Sequence, residues 1–117
     1  MQAKNKSFLS DAQIDEVARL FSILSEPSRL KLLRALMIEA MTVTDLINAT
    51  GMKQGNVSKH LAVLSDARFI SKEKEGNFAR YSIADPKLFT LCELMCGRVE
   101  DDARQHLAKL VVKNANG

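Results

Sequence analysis

The chain has 117 residues, 46% of them hydrophobic and 26% charged, with a formal net charge of +3. That length suits one domain of common size, and the apolar fraction excludes wholesale disorder. No run approaches the roughly 18 apolar residues of a membrane span, the N-terminus lacks the apolar core of a secretory signal, and two cysteines make no disulfide framework.

Residues 1–9 read as a flexible tail, residues 10–110 as one domain and residues 111–117 as a second tail. Ser10 and Gln13 have the spacing of a capping box, with Leu9 and Ile14 placed as a hydrophobic staple. Ile14, Val17, Leu20, Phe21 and Leu24 then recur at helical spacing. Ser25-Glu26-Pro27 ends that helix and starts another, because proline is accepted in a first turn. The second helix is expected to bury Leu30, Leu33, Leu36 and Met37 and to end near Glu39-Ala40.

Thr42 or Thr44 caps a short third helix through Asp45, Leu46, Ile47 and Ala49, closed by Gly51. A fourth helix runs from Gln54 to Ala67 with Val57, Leu61 and Leu64 inward. Two short helices joined by a tight turn containing glycine make a helix-turn-helix. The period then changes to that of strands over 69–74 and 78–83, around Glu75-Gly76-Asn77, which predicts a β-hairpin. Asp85-Pro86 opens a last helix with Leu88, Leu91, Cys92, Met95 and Val99 on one stripe. The fold class expected is mainly α with a β-hairpin wing: a winged helix-turn-helix of order α-α-α-α-β-β-α.

The charge is not spread evenly. Lys53, Lys59, Arg68, Lys72, Lys74 and Arg80 face only Asp66, Glu73 and Glu75 within residues 53–81, so that segment holds the entire +3 excess. A basic segment on a neutral body is the footprint of a polyanion binder. Within it, Gln54, Asn56, Ser58, Lys59 and His60 open the fourth helix without an acid among them. Glutamine and asparagine form paired hydrogen bonds to adenine edges, and serine and lysine reach bases or phosphates. The N-terminal part of the second helix of such a motif is the part that enters the major groove. Lys72, Lys74, Asn77 and Arg80 on the hairpin suit the phosphate backbone or the adjoining minor groove. Double-stranded DNA is the partner expected. For His60, packing within the fold stands beside DNA contact.

The stretch Leu24-Ser25-Glu26-Pro27-Ser28-Arg29-Leu30-Lys31-Leu32-Leu33, the stretch Asn56-Val57-Ser58-Lys59-His60-Leu61-Ala62-Val63-Leu64 and the wing ending Arg80-Tyr81-Ser82-Ile83 resemble the ArsR/SmtB-type winged-helix repressors. The resemblance implies a homodimer built through the first and last helices, which represses from a palindromic operator and lets go on sensing an effector. Lys53 stands where a serine N-cap is common, loosening that helix end by about 1 kcal/mol. Arg68 replaces the usual C-terminal glycine, which puts it at positive φ at some strain.

The family's thiolate site at the start of the third helix corresponds here to Thr42-Val43-Thr44-Asp45-Leu46, with both cysteines missing. Asp101, Asp102 and His106 lack the paired histidines of its last-helix site, and borderline metals favour several imidazoles or thiolates. Cys92 and Cys96 remain, one turn apart on a helix face. Three readings stay open for them: a soft metal or metalloid site, a redox or sulfur-species switch, or plain core residues. No other cofactor is implied.

The rival function is a winged-helix module that binds proteins and not duplex DNA. No catalytic fingerprint accompanies the two histidines, so an enzyme is not expected. The location expected is cytoplasmic, away from membranes.

Overall fold

A computed structural model describes residues 9–116, with side chains to Lys109. The expected tail over 1–9 falls almost wholly outside the described residues, as do Gly117 and the side chains of the expected tail over 111–117. The chain divides into two compact units, Met1–Asp85 and Pro86–Gly117.

The first unit begins with α1 (Asp11–Leu24), entered through the expected capping box. Gln13 N–H donates to Ser10 Oγ at 3.2 Å and Ser10 N–H donates back to Gln13 Oε1 at 2.8 Å. None of the residues of α1 is buried; Ile14 is 50% and Phe21 56% exposed. Helix α2 (Pro27–Leu36) has Glu26 as its N-cap, whose carboxylate accepts from Ser28 N–H at 2.8 Å. It ends at Leu36, earlier than expected, and it buries Leu32, Leu33, Ala35 and Leu36 while Leu30 stays 44% exposed. A leucine-rich run such as Leu30 to Leu36 offers two overlapping stripes of helical spacing, and only the neighbouring helices choose between them.

The connection to α3 (Val43–Thr50) holds a two-residue strand, β1 (Met41–Thr42), which has no counterpart in the expected order. Two residues are too few to display a period of two. Thr42 caps α3 in a box with Asp45, each side chain accepting the other's backbone N–H at 3.1 Å. Gly51 closes α3 at φ 74°, a conformation that side chains with a Cβ resist. After α4 (Gln54–Asp66), Arg68 adopts φ 66°, as its place after the helix end implies. Arg68 N–H bonds to Ser65 O and Phe69 N–H to Leu64 O, both at 3.0 Å, which is the paired bonding of a Schellman motif.

Strands β2 (Ile70–Glu75) and β3 (Phe78–Ile83) pair antiparallel, with β1 on the far side of β3, giving the order β1-β3-β2. Glu75 opposes Phe78, so the hairpin turn is Gly76-Asn77. Gly76 takes φ 60°, the sign required at the first central position of a type II′ turn. The core gathers Leu32, Leu33 and Leu36 of α2, Leu46 of α3, Val57, Leu61 and Leu64 of α4 and Ile70 of β2, all at most 3% exposed.

The second unit is α5 (Lys87–Asn116), a helix of 30 residues that runs through the expected boundary at residue 110. Leu94, Met95, Val99 and Leu107 are 60–67% exposed along it. Arg98 pairs with Asp102, and Arg104 with Glu100 and Asp101, on its surface. No helix among the described residues is long and apolar enough to cross a membrane.

Candidate nucleic-acid interface

Helix α4 is held from below and open above. Val57, Leu61 and Leu64 are buried at one-turn spacing, while Gln54, Asn56, Ser58 and Lys59 are exposed. The turn before α4 is braced by Thr50, whose hydroxyl donates to Leu46 O at 2.6 Å and accepts Met52 N–H at 3.2 Å. The N-cap residue Lys53 makes no side-chain cap bond, so the first N–H groups of α4 have no side-chain partner there. The first turn of α4 carries no acid. The outward surface at this helix start is polar, donor-rich and free of carboxylates.

His60 departs from its expected place among the DNA contacts. It is 7% exposed, and its Nδ1 accepts Arg29 Nε–H at 3.2 Å. Arg29 also donates to Ile23 O at 3.2 Å, so one guanidinium ties α1, α2 and α4 together. Val57, His60, Leu61 and Leu64 share one helix face, and that face meets α2. Sequence spacing gives no sign of the Arg29–His60 bond, because the two residues are 31 positions apart.

Burial pushes the His60 imidazole below its usual pKa of 6.5, with Lys59 and Arg29 adding to the effect against the opposing Glu26 carboxylate. The native state therefore binds fewer protons than the unfolded state just below pH 6.5, and stability is lost as pH falls through that window. We expect stability that is level above about pH 7.5 and declines below about pH 6.5, by at most about 1.4 kcal/mol per pH unit. Urea midpoints of wild type and His60→Gln between about pH 7.5 and pH 5.5 check this; a slope that persists in the variant rejects the assignment.

The hairpin sorts its basic residues by face. Lys72 opposes Tyr81 and Lys74 opposes Ala79, on the side that carries buried Ile70; Arg80 opposes Glu73 on the other. Lys72, Lys74 and Asn77 are exposed. Arg80 is engaged within the fold: Nε donates to Glu75 at 3.1 Å, Nη1 donates to Ala40 O at 3.3 Å and lies 3.9 Å from Asp45. It is a strut between the wing, β1 and the start of α3, and thus also departs from the expected set of free DNA contacts. Backbone and hydroxyl hydrogen bonds from Thr42 hold the Asp45 carboxyl below its ordinary range, helped by Arg80.

On α5, Cys92 is half-buried and Cys96 exposed, and both are free thiols. Burial, and then the neighbouring Cys96, push the Cys92 thiol up. Among the described residues no group of three or more His, Cys, Asp or Glu side chains is placed to hold a metal.

Comparison with known proteins gives this geometry its context. Residues 26–72 match the family model described as "Bacterial regulatory protein, arsR family". The probable mercury resistance operon repressor of Streptomyces lividans is 35% identical over 89 residues, covering 76% of this chain and 71% of the relative. Among solved structures, the antimony-specific transcriptional repressor AntR is 35% identical with a TM-score of 0.74, covering 84% of this chain and 89% of that one. A homodimeric winged helix-turn-helix DNA-binding domain from Mycobacterium bovis is 29% identical with a TM-score of 0.70, covering 86% of this chain and 94% of that one. By its identity and coverage with the Streptomyces lividans repressor, and with the family model and the winged helix-turn-helix neighbour in agreement, the chain belongs to the ArsR family of bacterial regulatory proteins, DNA-binding winged helix-turn-helix transcriptional regulators.

Proposed function

We propose that the protein is a homodimeric repressor acting in the cytoplasm, which binds a palindromic operator and releases it when an effector engages Cys92 and Cys96. The observation that carries the DNA reading is the acid-free, exposed start of α4, with Gln54, Asn56, Ser58 and Lys59 outward on a helix anchored by three buried apolar residues and His60. Gln54 and Asn56 read base edges, Ser58 and Lys59 reach bases or phosphates, and Lys72, Lys74 and Asn77 follow the backbone beside them.

The homodimer reading is supported by apolar side chains left uncovered in a single chain: Ile14 and Phe21 on α1, Leu94, Met95, Val99 and Leu107 on α5. The Mycobacterium bovis neighbour is homodimeric, in line with it. A two-fold dimer reads two half-sites of opposite sense, hence the palindrome. Sensing at the thiol pair is supported by their shared helix face and by the thiophilic elements, mercury and antimony, for which two of the similar repressors are named. Release requires only that the effector favour the form that does not bind operator.

The test is binding of the purified chain to its selected duplex over a range of salt. Affinity is expected to fall linearly in log–log coordinates, with the slope reduced by about 0.9 for each phosphate that Lys59→Ala or Lys72→Ala leaves unneutralised. Weak binding that ignores salt would replace this reading with that of a protein-interaction module.

A further inference from the structure

The wing is tied to the helix-turn-helix by little backbone. Strand β1 has two residues, and it joins β3 through Met41 opposite Tyr81 and Thr42 opposite Arg80. The side chain of Arg80 adds ties that so short a ladder lacks. At one end of the guanidinium, Nε donates to Glu75 Oε1 at 3.1 Å, on the last residue of β2 before the Gly76-Asn77 turn. At the other end, Nη1 donates to Ala40 O at 3.3 Å and lies 3.9 Å from Asp45. Asp45 is itself fixed at the start of α3 by its two bonds with Thr42, and α3 packs against α4. One side chain thus runs from the outer half of the wing to the helix that supports the reading helix.

This placement sets Arg80 apart from the other basic residues of the hairpin. Lys72 and Lys74 are exposed. The Arg80 side chain is 38% exposed, and to reach a phosphate it would have to leave two carboxylates and a carbonyl together. Charge-assisted bonds of this kind are about twice as strong as neutral ones. A guanidinium presents its donors in a rigid fork, so Nε and Nη1 hold their acceptors at a fixed angle, whereas the single nitrogen of a lysine cannot stand in both places. A lysine neutralises a phosphate only where the wing brings it within reach, and that reach is what the brace controls.

We propose that Arg80 is the positioning residue of the wing: it holds Lys72, Lys74 and Asn77 in place beside α4 for operator binding and does not itself contact a phosphate. This deepens the reading of the wing as a DNA-backbone contact and rests on it.

The test is anisotropy titration of the full-length chain on its selected duplex over a range of salt. Lys72→Ala/Lys74→Ala is measured first, and should weaken binding and lower the salt slope by about 0.9 for each phosphate lost. No loss would remove the wing from the interface, and the role of Arg80 with it. Arg80→Ala is then compared in the two backgrounds. It should weaken binding about fivefold or more when the lysines are present, and less than about twofold when they are absent, because residues that act through one element are not additive. In the background without the lysines the salt slope should not change further. Arg80→Lys keeps the charge and the stem, guards against loss of fold, and should still bind weakly. A loss from Arg80→Ala that is equal in both backgrounds within about twofold would overturn the proposal, as independent contacts add. So would a slope lowered by a further 0.9 or so without the lysines, the mark of a direct phosphate contact, or full affinity in Arg80→Lys.

Discussion

Replacing Asn56 or Gln54 with alanine is expected to weaken operator binding about 5- to 150-fold each, the equivalent of 1–3 kcal/mol for a paired hydrogen bond to a base edge. Both side chains lie on the exposed face at the start of α4, and neither contributes to the core. The loss should come with relaxed preference at one base pair per half-site, because removing a base contact leaves phosphate contacts in place. The salt slope should stay as in the wild type, in contrast to Lys59→Ala. Alanine is also the better helix former, so thermal stability should not fall. Anisotropy titrations against the selected duplex and its single-base variants measure both quantities. Equal affinity for every duplex in wild type and variants would remove α4 from the role of base reader.

Leu61→Ala is expected to have the largest effect on stability, about 2–5 kcal/mol. Leu61 is 1% exposed on α4, in the core that also holds Leu32, Leu33 and Leu46. Alanine keeps the helix, so the whole cost is the forfeited burial and the cavity left behind. Against a total of about 5–15 kcal/mol for a domain, that loss is a large fraction. Urea denaturation should show a lower midpoint at unchanged slope. Ala62→Ser, one residue further along and exposed, should move the midpoint by no more than about 0.5 kcal/mol. If Leu61→Ala were as mild as Ala62→Ser, the inward face of α4 would be misassigned.

These two faces differ in how they are legible. The inward face of α4 follows from spacing alone, since Val57, Leu61 and Leu64 recur at one-turn intervals. Its outward face follows from composition, as a polar run without acids. His60 escapes both criteria: a histidine is compatible with either face, and its burial depends on an arginine 31 residues away. Arg80 escapes for a related reason. A basic residue on a predicted wing reads as a phosphate contact, yet Ala40 O, Glu75 and Asp45 occupy its guanidinium once the chain has folded back.

Local devices are therefore readable from the residues in order: the capping box at Ser10, the glycine closing α3, the hairpin around Gly76 and the strained Arg68 after α4. Each rests on contacts within about one helical turn or one β-turn, where sequence spacing is spatial spacing. The basic segment over 53–81 belongs with them, because net charge adds along the chain whatever its shape. Which leucines of α2 are buried, where β1 pairs, and which cations stay free for a polyanion are decided only by tertiary structure. Those properties are differences between competing partners, and the partners are distant in sequence until packing brings them together.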